Sequence, residues 1–213
     1  MSSGQQTVNS ERITPNSVTN TPDQRWMMIL NKYLGELGIE LPQFPSVLDI
    51  GCGNNATWSY LALVEYLGAK NLGVPKFVGI DLSEEAFAKA KEALKGLAQF
   101  VACDARDLTN HVEGPVDLVL CQHPPLTTSR EGPRIWEAIF EEIAKLLDPQ
   151  GCMVLTSFWI KDHIPAQVSV EKAGLDILFS GKNFFPGRVF DRSEDGEQLQ
   201  YDKYILVARR ARS

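Results

Sequence analysis

The chain has 213 residues, 44% hydrophobic and 23% charged, enough to bury the core of one α/β domain and too short for two comfortable ones. Its formal net charge of −6 supplies no field that would gather phosphate backbones, which argues against nucleic acid as the main partner. No run approaches the ~18 apolar residues of a membrane span, and the polar start MSSGQQTVNSERITPNS has no signal-peptide core, so the expected compartment is the cytoplasm.

Residues 1–20 are rich in Ser, Thr, Asn and Gln and nearly free of large apolar groups; they are expected to be disordered, with one domain over 21–213. Thr21-Pro22-Asp23 reads as a helix start, followed at helical spacing by Trp26, Ile29, Leu30, Tyr33, Leu34 and Leu37, with Gly38 as the stop. From there short apolar runs alternate with amphipathic segments. Strands are expected at 46–50, 77–81, 98–102, 117–121 and 152–157, and helices near 56–68, 83–96, 131–147 and 163–173. Ser83 caps the second of these helices, and Gly151 introduces the fifth strand. Such alternation implies crossover units and a doubly wound, mostly parallel sheet with helices on both faces.

The ending differs. Two strand-like runs, 177–179 and 203–208, have no helix between them, only a loop of about 20 residues with Gly181, Pro186, Gly187 and Gly196. This predicts an antiparallel pair at the sheet edge. Cys52, Cys103, Cys121 and Cys152 show neither C-x-x-C nor zinc spacing, so buried free thiols are expected and no metal site.

The chemistry concentrates in Val47-Leu48-Asp49-Ile50-Gly51-Cys52-Gly53, a buried strand running into a turn of small residues. Glycines let backbone pass close to a ligand, and open parallel sheets bind ligands beyond the carboxyl ends of their strands. The Gly51-x-Gly53-x-x-Ala56 spacing also fits a dinucleotide fingerprint. Asp49 weighs against that, because an acid in an apolar strand needs a donor or cation, which an ammonium supplies and a pyrophosphate does not. The alternative is an Asp49 that accepts from the turn's own amides. Asp81 ends the second strand, where a carboxylate can accept from both ribose hydroxyls, or cap the helix at Ser83. Asp104 follows the third strand; its carboxylate could take an adenine amino group, with the Ala105 amide facing a ring nitrogen.

VLDIGCG, GIDLS and CDARDL together resemble the motifs of class I S-adenosylmethionine-dependent methyltransferases, over roughly residues 45–210. The resemblance implies a seven-stranded Rossmann-like sheet and S-adenosylmethionine as cofactor. It implies Asp49 at the methionine end, Gly51 and Gly53 lining the turn, Asp81 on the ribose, Leu82 against the adenine, and Asp104 and Ala105 at the adenine edge. Asn55 stands where the family often has a third glycine. The fourth motif, Gln122-His123-Pro124-Pro125-Leu126, resembles the N/D-P-P-Y pattern of enzymes that methylate amino nitrogens. Gln122 replaces the Asn or Asp and no aromatic follows, which speaks against nitrogen methylation while keeping Gln122 in the cofactor set.

His123 is the one histidine in a catalytic position, as a base for an acceptor hydroxyl or thiol, or else as a residue that only shapes the turn. His111 and His163 are expected at the surface. Phe184 and Phe185, beside Lys182 and Arg188, either stack on an acceptor or cover the core. The expected reaction is methyl transfer to a small molecule, with a protein acceptor left open. The rivals are a methyltransferase-like binding protein without catalysis and an NAD-dependent oxidoreductase, the latter opposed by Asp49 and by the lack of a Tyr-x-x-x-Lys pair.

Overall fold

A computed structural model describes residues 21–194 and 196–211; the 1–20 segment expected to be disordered lies outside them. Helix α1 (Pro22–Glu36) starts where the proline and the Thr21 cap place it, with the Thr21 N–H donating to Gln24 Oε1 at 3.2 Å. It buries Trp26, Ile29, Leu30, Tyr33 and Leu34, and Gly38 beyond it takes a left-handed φ of +64°. The chain then alternates: β1 (Ser46–Ile50), α2 (Ala56–Ala69), β2 (Lys76–Asp81), α3 (Glu84–Ala93), β3 (Ala98–Ala102), β4 (Val116–Gln122), α4 (Gly132–Leu146), β5 (Leu147–Ser157), α5 (Ile160–Lys172) and β6 (Leu175–Lys182). A hairpin of β7 (Val189–Arg192) and β8 (Gln198–Gln200) precedes the last strand, β9 (Tyr204–Arg210).

Seven strands form one sheet in the order β3-β2-β1-β4-β5-β9-β6, with β9 antiparallel to both neighbours. One apolar cluster packs α1, α2 and α3 on one face of the sheet, and a second packs α4 and α5 on the other. The strand order reverses between β1 and β4, which places the ends of those strands where a doubly wound sheet receives its ligand. Among the described residues no helix is long and apolar enough to cross a membrane.

Four features depart from the sequence expectations. The antiparallel pair is β6 and β9, but β9 fills the position between β5 and β6, so of the two only β6 is an edge strand. The 181–202 connection carries the β7–β8 hairpin. β5 begins at Leu147 and bends past Gly151, where a Cβ would sit 2.9 Å from the carbonyl oxygens of Val116 and Asp117. Lastly, α5 starts three residues earlier than its periodicity suggests, which turns His163 inward. That ring is 2% exposed, stacks on Tyr204 and lies 2.8 Å from Ser180 Oγ, and burial lowers its pKa to about 4.

Candidate functional site

The turn after β1 is held by the tip of β2. Gly51 and Gly53 have φ of +64° and +48°, a left-handed region that residues with a Cβ adopt only at a cost. The Gly53 N–H donates to Asp81 Oδ2 at 3.0 Å, the Leu82 N–H to Asp81 Oδ1 at 2.8 Å, and the Cys52 N–H to the Ile80 carbonyl at 3.0 Å. Asp81 therefore braces the glycine turn with both oxygens, while Ser83 itself accepts from the Ala86 N–H to cap α3. Asn54 secures the other side, its Oδ1 accepting from the Lys89 and Ala90 N–H groups at 3.0 and 3.4 Å.

Asp49 is the electrostatic oddity of the site. It is 1% exposed, and neither carboxylate oxygen has a hydrogen-bond partner, so the turn's amides do not satisfy it. Burial raises its pKa to about 7; the nearby Ser59 opposes the shift and the charge of Asp81 adds to it. An unpaired buried carboxylate costs several kcal/mol, a debt that a cationic ligand group discharges. The Ser59 hydroxyl accepts from the Gln122 side-chain amide at 2.6 Å, which carries the tip of β4 to the first turns of α2.

Asp81, Leu82, Asp104 and Ala105 come together at the paired ends of β2 and β3, where the Cys103 N–H donates to the Asp81 carbonyl at 2.9 Å. Leu82 is 75% exposed, an apolar side chain free to meet a ring. The Arg106 side chain embraces Asp104, with Nε 3.0 Å from each carboxylate oxygen, and its hydrogen bonds lead the lowering of the Asp104 pKa. The Asp104 carboxylate is thus already charged and paired, although partly open to solvent.

At the tip of β4 the chain splits. Gln122 turns toward α2, whereas His123, at φ +53°, turns toward Asp202 in the segment before β9. His123 Nε2 lies 2.9 Å from Asp202 Oδ1 and 3.1 Å from its backbone N–H, and the imidazole stacks on Phe158 with centroids 3.8 Å apart. Asp202 is 0% exposed, yet remains a carboxylate. Burial works against its charge, but His123, the Arg25 guanidinium and the Thr156 hydroxyl together lower its pKa to about 2. The segment after the prolines is fastened by Asp162, which accepts from the Thr127 N–H and hydroxyl and from the Trp159 indole.

Phe184 and Phe185 differ in their surroundings. Phe185 packs on the core, and Phe184 is exposed beneath the Lys32 ammonium, 4.9 Å from its ring centroid. The aromatics beside His123 are Phe158 and Tyr201, with Phe190 packed against both, and none of the three was singled out from the sequence. Ser59, Arg25 and Asp202 were also missed. All four cysteines are free, and Cys103 alone is only partly buried.

A glycine turn braced by one strand-end acid, above a second, unpaired one, thus lies at the reversal point of a seven-stranded α/β sheet. The model of the family described as "Methyltransferase domain" matches residues 45–202, and the chain belongs to that family. Comparison with curated proteins finds no match. Among solved structures, an S-adenosylmethionine-dependent methyltransferase from Clostridium acetobutylicum superposes with a TM-score of 0.61 at 13% identity, covering 88% of this chain and 92% of that one. A TehB-like S-adenosylmethionine-dependent methyltransferase from Corynebacterium glutamicum gives 0.56 at 15% identity, with 88% of each chain covered. A precorrin-6y C5,15-methyltransferase from Geobacter metallireducens gives 0.53 at 16%, covering 82% and 86%. At these identities the likeness is one of fold.

Proposed function

We propose that this methyltransferase-family chain binds S-adenosylmethionine at the β1–β2–β3 strand ends and methylates a small molecule held beyond the tip of β4. The observation that carries the cofactor assignment is the buried Asp49 carboxylate, neither of whose oxygens has a hydrogen-bond partner among the described residues, whereas the buried Glu142, Asp162 and Asp202 are paired. The methionine ammonium is the cation it lacks. Asp81 would accept from the ribose hydroxyls, Leu82 would cover the adenine, and Asp104 with the Ala105 amide would meet its edge. Gly51 and Gly53 keep the turn low enough for close approach.

When bound, the cofactor supplies a methyl group on a sulfonium, already a good leaving group. The chain's task is alignment and exclusion of water, the source of much of the rate in such displacements. His123 sits on the acceptor side as the base. The small-molecule character is supported by the net charge of −6, which offers nucleic acid nothing, and by the presence of a precorrin methyltransferase among the structural neighbours. Incubation with methyl-labelled cofactor and a fractionated cell extract tests it. Label is expected in the low-molecular-weight fraction; label only in protein or nucleic acid, or in nothing, contradicts the proposal.

A further inference from the structure

Three of the most exposed large apolar side chains stand in a row. Phe44, Val74 and Leu97 are 72%, 62% and 54% exposed. Each lies one or two residues ahead of a strand: Phe44 before β1, Val74 before β2 and Leu97 before β3. The three strands are neighbours in the sheet, with Ser46 opposite Lys76 and Phe77 opposite Ala98. Parallel neighbours run about 4.8 Å apart, so the loops ahead of them lie side by side. They form the pole of the domain opposite the strand ends of the proposed cofactor site. Backbone bonds lock two of the loops together, from the Gly73 N–H to the Gln43 carbonyl at 2.7 Å and from the Lys76 N–H to the Pro45 carbonyl at 2.9 Å.

The row is held in place. Gly73 has no left-handed backbone to explain a glycine; instead, a Cβ there would fall 2.2 Å from the Phe44 ring. The glycine gives that ring its seat, and an exposed aromatic already fixed by its neighbour loses little freedom on docking. Isolated exposed apolar groups are ordinary, but a contiguous set marks a surface that meets another. Ser46, Lys76 and Gln99, each two positions after a member of the row, line a recess of about 260 Å³ together with Val78, Val101 and Val112. The recess adjoins the row and extends its apolar surface.

Charge runs along the row in one direction. Its β3 end carries Lys95, just past α3, which packs on β3 through Phe87 and Phe100 with ring centroids 5.3 Å apart. Its β1 end carries Glu40, reached from α1, which packs toward β6 through Tyr33 and Phe179 at 5.0 Å. Glu113, on the connection into β4 beside β1, adds a second acid at that end. Glu40 and Lys95 are exposed, and neither has an ion-pair partner among the described residues. A surface with a cation at one end, an anion at the other and apolar groups between is complementary to itself when turned end for end. That is the condition for an isologous two-fold contact. We propose that two copies of this chain associate through this pole with their rows antiparallel. Val74 lies near the two-fold axis, Phe44 packs against Leu97 of the partner subunit, and Glu40 faces Lys95 of the partner subunit. The contact goes beyond the methyltransferase reading and does not depend on it, since both proposed cofactor sites face outward. A core of three apolar side chains per copy is small for a specific interface, so the dimer should dissociate in the micromolar range.

Sedimentation equilibrium of the full chain from about 1 to 200 μM tests this. Wild type is expected to pass from monomer to dimer across that range. Val74→Asp should raise the dissociation constant about tenfold or more, because it places two charges at the centre of the contact. Should Val74→Asp fail to fold, Leu97→Asp serves the same purpose. Glu40→Lys and Lys95→Glu should each weaken the dimer about threefold or more at low salt. The two exchanges combined should restore it to within about threefold of wild type, since they return opposite charges to facing positions. A chain that stays monomeric throughout, a dimer indifferent to the apolar-to-acid variants, or a double exchange no better than the single ones would overturn the proposal.

Discussion

The side-chain amide of Gln122 donates to the Ser59 hydroxyl at 2.6 Å, and through that bond the end of β4 is tied to the helix that follows the glycine turn. Ser59 is 1% exposed, so removal of its partner leaves a buried hydroxyl short of a donor. Gln122→Ala should therefore cost about 0.5–1.5 kcal/mol. At roughly 2–4 °C per kcal/mol for a domain of this size, the melting temperature should fall by about 1–6 °C. An unchanged melting curve would show that the tie carries no load.

Asp81→Ala should weaken S-adenosylhomocysteine binding by about 1.5–3 kcal/mol, the worth of charge-assisted hydrogen bonds. The same carboxylate also receives the Gly53 and Leu82 N–H groups, so part of the loss comes from a looser turn. Asp81→Asn separates the two contributions, since its one remaining oxygen can still brace a backbone amide. Unchanged affinity in titration calorimetry, with the fold intact, would exclude the ribose role.

Asp49 makes the free protein's stability depend on pH. Its folded pKa, about 7, lies above the ordinary value of 3.8, so the folded state holds a proton that the unfolded state has released. Its stabilising contribution is present below about pH 4 and is lost as pH rises through about 7. The melting temperature of the ligand-free protein should fall between pH 5 and 8, and Asp49→Asn should flatten that slope. Because an ammonium needs the ionised carboxylate, S-adenosylhomocysteine affinity should rise up to about tenfold per pH unit below 7 and level off above it. A pH-independent affinity would remove Asp49 from the site.

Asp202 works with the opposite sign. Its folded pKa of about 2 lies below 3.8, so its contribution is present above about pH 4 and is lost as pH falls toward 2. The shift corresponds to stability on the order of 2 kcal/mol. Acid titration followed by circular dichroism should show Asp202→Asn losing stability at neutral pH while narrowing the gap to wild type near pH 2. A constant gap across that range would contradict the ion-pair account.

The proposed cofactor half of the site could be laid out from the sequence because its residues are local. Asp49, Gly51 and Gly53 fall within one strand and its turn, and β1 and β3 occupy the expected 46–50 and 98–102 spans. Beyond His123, the proposed acceptor half was not legible, because its contacts are distant. Asp202 sits in Tyr-Asp-Lys-Tyr ahead of a strand, which reads as a surface turn, and its partners Arg25 and His123 lie 177 and 79 positions away. The β7–β8 hairpin escaped for another reason: VFDR and QLQ are too short and too polar to show a period of two. His163 was misplaced because Trp159 and Ile160 start α5 ahead of its polar turn.

In the proposed function the buried, unpaired Asp49 and the strand-end Asp81 and Asp104 form a site for S-adenosylmethionine and not for a dinucleotide. Thermal unfolding with S-adenosylhomocysteine and, separately, with NAD tests it most directly. A ligand that binds only the folded state adds about 2.7 kcal/mol at a hundredfold excess over its dissociation constant. At roughly 2–4 °C per kcal/mol that is a rise of about 5–10 °C. S-adenosylhomocysteine should produce this shift, and NAD, whose pyrophosphate would approach the Asp49 carboxylate, should produce none. A clear shift with NAD and none with S-adenosylhomocysteine would contradict the account.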